Sequence, residues 1–209
     1  MREHACLSHP VDGNSRIAEF MPAATLEYLK ILAAARSDAL VVTTMTAAKL
    51  WPRVSDSPWD VGYLPSAMSH AGDIALGLAL AQPGRRVVCV NGDGSLLMNL
   101  GSLVTAAAAE ARNLLMLVLV NGTYEMVGGG RVPGAGRTDY AALARASGWP
   151  VAVDYEDADG FAAALPELLQ AEGPAFAALV VVDPPQLPLA LPRHPGDVLR
   201  AMRQANAAR

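Results

Sequence analysis

A three-layer α/β/α domain built on a mostly parallel sheet is the fold class this sequence predicts. Two observations carry that expectation. The strand-like segments, "RRVVCVN" at 85–91, "LLMLVLV" at 114–120 and "AFAALVVVD" at 175–183, are continuous apolar runs. Strands with one wet face alternate in and out, whereas continuous runs mark parallel strands covered on both faces. Between them lie stretches with small and apolar residues at helical spacing, so strand and helix alternate along the chain. That order builds a parallel sheet flanked by helices.

Taken in order, residues 1–20 read as a tail, flexible or bound to a partner, ahead of a domain over 21–190 and a helical extension over 191–209. "MPAATLEYLKILAAAR" (21–36) has the spacing of an amphipathic helix, and "ALVVTTM" (39–45) is rich in β-branched residues. A connection containing Pro and Trp follows over 51–65. "SHAGDIALGLALAQPG" (69–84) predicts a helix that its Pro-Gly ends. The strand at 85–91 leads to a helix expected from Leu96 to Ala111, then the strand at 114–120 and a glycine-rich loop. "TDYAALARASG", "PVAVDY" and "ADGFAAALPELLQAEG" predict helix, strand and helix before the strand at 175–183. "QLPLALPRHPGDVLRAMRQANAAR" reads as a Pro-rich loop and a short amphipathic helix.

With 209 residues the chain can bury roughly 70% of its unfolded surface without covalent staples. Cys6 in the tail and Cys89 inside an apolar run do not form a disulfide framework, which fits a reducing compartment. No apolar run approaches the ~20 residues of a membrane helix, and the first residues lack the apolar core of a signal peptide. The expectation is a cytoplasmic protein with no membrane partner. A net charge of −4, 5% aromatics and no basic cluster argue against nucleic acid. The hydrophobic share of 52% points to self-association or another subunit.

The chemistry concentrates in "NGDGS" (91–95) and "NGTY" (121–124), each at the end of a predicted strand. Ligands of open parallel sheets bind at those carboxyl ends. Gly92 and Gly94 permit a tight turn, and the amides of Gly94 and Ser95 open a helix and can bind a phosphate. Asp93 then sets a carboxylate beside a phosphate, which repels unless a cation lies between. A hard, oxygen-binding ion such as Mg2+ fits. Asn121 brings a second oxygen to the same sheet edge, and the turn at Gly122 can aim the Thr123 carbonyl at the same ion. A dinucleotide fingerprint fails, because Leu97 stands at the third glycine and Asn121 replaces the acid ending the next strand.

Gly-Asp-Gly-Ser, then a helix and strand, then Asn-Gly-x-Tyr resembles the pyrophosphate-binding domain of thiamine diphosphate (ThDP) enzymes. The resemblance runs from about residue 22 to 183 and is greatest to sulfopyruvate and phosphonopyruvate decarboxylases. It implies the ThDP-binding fold, Mg2+ held by Asp93, Asn121 and the Thr123 carbonyl, and cofactor contacts from Gly92, Gly94, Ser95 and Tyr124. "LPSAMSHAGDIALGLALA" is similar to the family segment Gly-Ser-Met-Gly-His-Ala. That likeness puts Ser66, Ala67 and Met68 against the cofactor, with Met68 propping its bent shape and the Ser66 carbonyl accepting from the aminopyrimidine. It also places His70 near the cofactor edge as a catalytic candidate. The chain departs from the pattern at Ser66 and Ser69, where the family prefers Gly, at "TTMTAAKLW" in place of a Thr-Thr-Gly segment leading to Arg-Glu, and at "GGG" in place of Gly-Gly-Gln.

Several residues keep two readings. His70 is either functional or a helix-start residue bonded to backbone, and Met68 either a prop or core. Asp73 suits a first-turn helix acid. Tyr124 and Glu125 face substrate or sit on an exposed loop, and Gly128–Gly130 form a closing loop or a linker. Trp51 and Trp59 suit core or interface, and Arg193 interface or surface.

By the resemblance, the Glu that activates ThDP comes from a second domain of similar fold. Glu27, Glu110 and Glu167 lack the required context, so the expectation is the β-type subunit of a split 2-oxo acid decarboxylase. Its partner would be a pyrimidine-binding α-type subunit and its substrate a small 2-oxo acid. The alternatives are half of an acetolactate synthase-like carboligase and a non-catalytic regulatory subunit.

Overall fold

The computed structural model describes residues 23–61, 68–182 and 195–208. The tail expected over 1–20, together with Ser66, Ala67 and Arg193, lies outside the described residues. In chain order the elements are β1 (Ala23–Ala24), α1 (Thr25–Ala35), β2 (Leu40–Thr43), α2 (Met45–Leu50), β3 (Asp60–Val61), α3 (Ala71–Ala81), β4 (Val87–Gly92), α4 (Asp93–Leu97), α5 (Gly101–Ala108) and β5 (Leu114–Val120). They continue with β6 (Thr123–Tyr124), β7 (Gly130–Arg131), α6 (Tyr140–Ala146), β8 (Val151–Tyr155), α7 (Ala158–Gln170), β9 (Ala175–Val182) and α8 (Pro195–Ala207).

Seven strands form one sheet in the order β3-β2-β4-β5-β9, with β8 and β1 both beside β9, and every pairing in it is parallel. Its central strands divide their side chains between two cores. Val87, Cys89, Leu114, Met116 and Val118 enter one, while Val88, Val90, Leu115, Leu117 and Leu119 enter the other. Residues from α3, α5, α6 and α8 complete the first core, and residues from α1, α2 and α7 the second. This is why the strands read as unbroken apolar runs: both faces exclude water. Burial also pushes the Cys89 thiol up to about 12, so it behaves as a small apolar core residue.

Three expectations are corrected. The single helix expected over 96–111 is two helices. The helix begins at Asp93, directly in the turn, and its chain tightens at residues 98–103. There the amides of Asn99, Ser102 and Leu103 each bond the carbonyl three residues earlier. The second helix ends at Ala108, and Glu110 turns left-handed at φ +48°. The connection drawn over 51–65 is shorter than expected. A helix over 45–50 and a helical turn at Trp51–Arg53 precede it, and the edge strand Asp60–Val61 interrupts it. Asp60 is buried and accepts from Arg36, Ser55 and the Ser57 amide. The glycine-rich loop folds into the antiparallel hairpin β6–β7, closed by a turn at Glu125–Val127.

α8 packs against the domain through Val198 and Met202, and Trp51 and Trp59 are core residues. Among the described residues no helix is long and apolar enough to cross a membrane.

Candidate functional site

β4 and β5 lie side by side and end together, with Gly92 opposite Leu119. The loops leaving them carry the two motifs. The Asp93 carboxylate, 2% exposed, joins these loops: one oxygen accepts the Gly94 amide at 2.7 Å and the other the Gly122 amide at 2.8 Å. Gly122 reaches this contact at φ +69°. The Asn121 side-chain oxygen accepts the Thr123 amide at 3.0 Å, a turn that keeps the amide group at the strand end. Asn91, buried, does the same for Gly92 at 2.9 Å.

Gly94 is required by contact. A Cβ there would stand 2.5 Å from a Tyr124 ring carbon and 3.0 Å from a Val132 methyl, so the aromatic ring closes directly over the backbone. These residues border an open cleft at the carboxyl ends of the strands. Of the sequence-predicted site residues, Met68, Gly92, Asp93, Gly94, Ser95, Asn121, Thr123 and Tyr124 all line it.

His70 does not line the cleft. It precedes α3 with its side chain exposed, and its Nδ1 pairs with Asp73 at 2.9 Å. Asn99 donates to the same Asp73 oxygen at 2.8 Å and to the Ser69 carbonyl at 3.2 Å, while Ser95 Oγ accepts the Ser69 amide at 2.8 Å. The segment carrying Met68 is thus tied to the helices that follow Asp93.

Two cleft features escaped the sequence reading. Thr44, at the end of β2, lines the cleft with a buried hydroxyl that has no hydrogen-bond partner. Met45 follows at φ +52° and lines it too. A Thr-Thr pair at a strand end was the available signal, but nothing local marks one hydroxyl as lacking a partner. Glu125 also borders the cleft, and its carboxylate accepts from Thr46 Oγ1 at 2.6 Å.

No Lys, Arg or His among the described residues lines this cleft. An anion entering it would meet amides, hydroxyls and the carboxylates of Asp93 and Glu125. Nor is there, among the described residues, a cluster of three or more His, Cys, Asp or Glu able to hold a metal. The oxygens at hand in the cleft are the Asp93 carboxylate, the Asn121 side-chain amide and the Thr123 backbone carbonyl, the donor types that a hard cation shared with phosphate and water takes. The buried Thr44 hydroxyl lies at the end of β2, the strand beside β4.

The family model for the thiamine pyrophosphate enzyme C-terminal TPP binding domain matches residues 42–179, more than half the chain. The chain belongs to that family. It is 36% identical over 152 residues to a phosphonopyruvate decarboxylase of Streptomyces viridochromogenes, covering 73% of this chain and 38% of that protein. It is 42% identical over 124 residues to the sulfopyruvate decarboxylase subunit beta of Methanothermobacter thermautotrophicus, covering 59% of this chain and 63% of that one. The chain therefore spans well under half of the first relative and less than two thirds of the second. The benzoylformate decarboxylase of Polynucleobacter necessarius shares the fold, with a TM-score of 0.62 at 20% identity over 85% of this chain and 36% of that one. The matched segment of this TPP-binding domain includes the end of β2, all of β4 and β5, and both motif loops.

Proposed function

We propose that this chain is the ThDP- and Mg2+-binding subunit of a two-chain 2-oxo acid decarboxylase. The observation that carries the reading is the buried Asp93 carboxylate, which joins two strand-end loops in a cleft that no basic residue lines among the described residues. A diphosphate is stable there only with a cation between it and Asp93. Asp93, the Asn121 oxygen and the Thr123 carbonyl hold Mg2+, while the Gly94 and Ser95 amides and the Thr44 hydroxyl hold phosphate oxygens. Met68 and Tyr124 supply apolar walls for the rings.

Bound there, ThDP supplies an electron sink for the bond broken as CO2 leaves a 2-oxo acid. The chain's own part is to bind, orient and exclude water. The activating Glu is assigned to an α-type partner; among the described glutamates Glu125 alone borders the cleft, and it accepts from Thr46. The names of the relatives support a sulfonate- or phosphonate-bearing 2-oxo acid as substrate, and the name subunit beta supports a partner chain.

The test is calorimetric titration of Mg2+ into the chain held in excess ThDP. Asp93→Asn keeps the side chain's shape and removes its charge. It should weaken binding by more than about a hundredfold, beyond the 10- to 100-fold typical of a residue that only supports a ligand. Equal affinity in the two proteins would remove the metal-site reading.

One observation favours a second reading, a non-catalytic regulatory subunit. Met45 and Ser69 both hold left-handed backbone where the family motif prefers glycine. Failure of the wild-type chain to bind Mg2+ and ThDP at all would select it.

A further inference from the structure

Two elements far apart in sequence are joined at the rim of the cleft. Thr46 stands in the first turn of α2, Glu125 opens the turn of the β6–β7 hairpin, and both line the cleft. Thr46 Oγ1 donates to the Glu125 carboxylate at 2.6 Å, in a solvent-exposed bond that spans 79 residues of chain. The hairpin is a two-stranded sheet separate from the main one. Its base is fixed: the Asp93 carboxylate accepts the Gly122 amide, the Val132 amide donates to the Gly122 carbonyl, and Val132 is buried. The tip has less around it. Glu125 and residues 127–130 are exposed, and Gly128 and Gly129 turn at φ +100° and +71° with open space where a side chain would be. Such backbone bends at little steric cost. Val127, 63% exposed, lines the cleft with Met126, so the tip presents an apolar edge to whatever enters.

We propose that Thr46 and Glu125 form a clasp that holds the hairpin tip against α2 and sets how fast the cofactor enters and leaves the cleft. This rests on the ThDP reading above. Both groups belong to the chain itself, so the clasp can form whether the cleft is empty or filled. Ligand then passes while the clasp is open. Weakening it raises the open fraction for entry and for release alike, and the equilibrium affinity stays the same. A residue that touched the ligand would instead act mainly on release and change the affinity with it.

The experiment compares the full wild-type chain with Thr46→Val, which keeps the side chain's shape and loses its hydroxyl, and with Thr46→Ser, which keeps the hydroxyl. Hydrogen exchange is followed at Gly129 in the tip, whose amide bonds the Tyr124 carbonyl, and at Val132 in the base. ThDP binding is followed by surface plasmon resonance in Mg2+. In Thr46→Val, exchange at Gly129 and both ThDP rate constants should rise about three- to tenfold, the size of one solvent-exposed hydrogen bond. Exchange at Val132 and the ThDP dissociation constant should not move, and Thr46→Ser should behave as wild type. Unchanged exchange at Gly129 in Thr46→Val would overturn the proposal, because the tip is then held by something else. So would a weaker affinity at an unaltered entry rate, since Thr46 then acts on the ligand and not on the hairpin. If wild type binds ThDP and Thr46→Val leaves its rates unmoved, the cofactor reading stands and the clasp alone falls. If wild type binds no ThDP, the cofactor reading fails and takes the gating with it.

Discussion

Ser69 and Met45 have φ of +72° and +52°, a conformation in which a Cβ crowds the neighbouring carbonyl. At Ser69 the backbone is held there from both sides, its amide by Ser95 Oγ and its carbonyl by Asn99. Ser69→Gly keeps both bonds, since neither uses the side chain. It relieves about 1–2 kcal/mol of crowding against the 0.5–1 kcal/mol of chain entropy that glycine adds to the unfolded state. The expected gain is about 0.5–1 kcal/mol in urea unfolding, and a loss would show that the left-handed turn carries no strain. The sequence marked Ser69 as a departure from the motif, but the backbone angle that makes it one follows from the fold.

Among the elements, the strand at 114–120 was legible to the residue, because seven apolar side chains in a row have no other stable place than a sheet covered on both faces. The helices after Asp93 were less legible. Helical spacing persists through 98–100, and the break arises where Asn99 turns to serve Asp73 and Ser69 on another element. Arg86 shows the same limit at the opposite edge of the sheet. Its guanidinium donates to the carbonyls of Leu168 and Ala171 at the end of α7 and to Arg112, and burial lowers its pKa to about 10. Arg86→Met would leave those carbonyls without their charged donor. A loss of about 2–3 kcal/mol is expected in chemical denaturation, with earlier amide exchange at the end of α7 as its local signature.

For the whole molecule, the decisive prediction concerns assembly. The tagged chain purified from its own host with ThDP and Mg2+ present should carry a second, α-type chain in native mass spectrometry, together with both ligands. A lone oligomer at saturating ThDP would instead favour the regulatory reading. If the partner is found, assaying the complex with sulfonate- and phosphonate-bearing 2-oxo acids separates decarboxylation from joining to a second carbonyl compound, by the products released.

Fold class and the two motif loops follow from local order alone: continuous apolar runs demand a doubly covered sheet, and Gly-Asp-Gly-Ser and Asn-Gly-Thr-Tyr end adjacent runs. What sits next to what depended on packing. Asp93 meets Gly122 across 29 residues and Glu125 meets Thr46 across 79. His70 turns to Asp73 instead of into the cleft, and the hydroxyls of Thr44 and Tyr140 are buried without partners. Periodicity and turn chemistry act over a few residues, whereas these contacts come from strand order and from side chains competing for the same buried space.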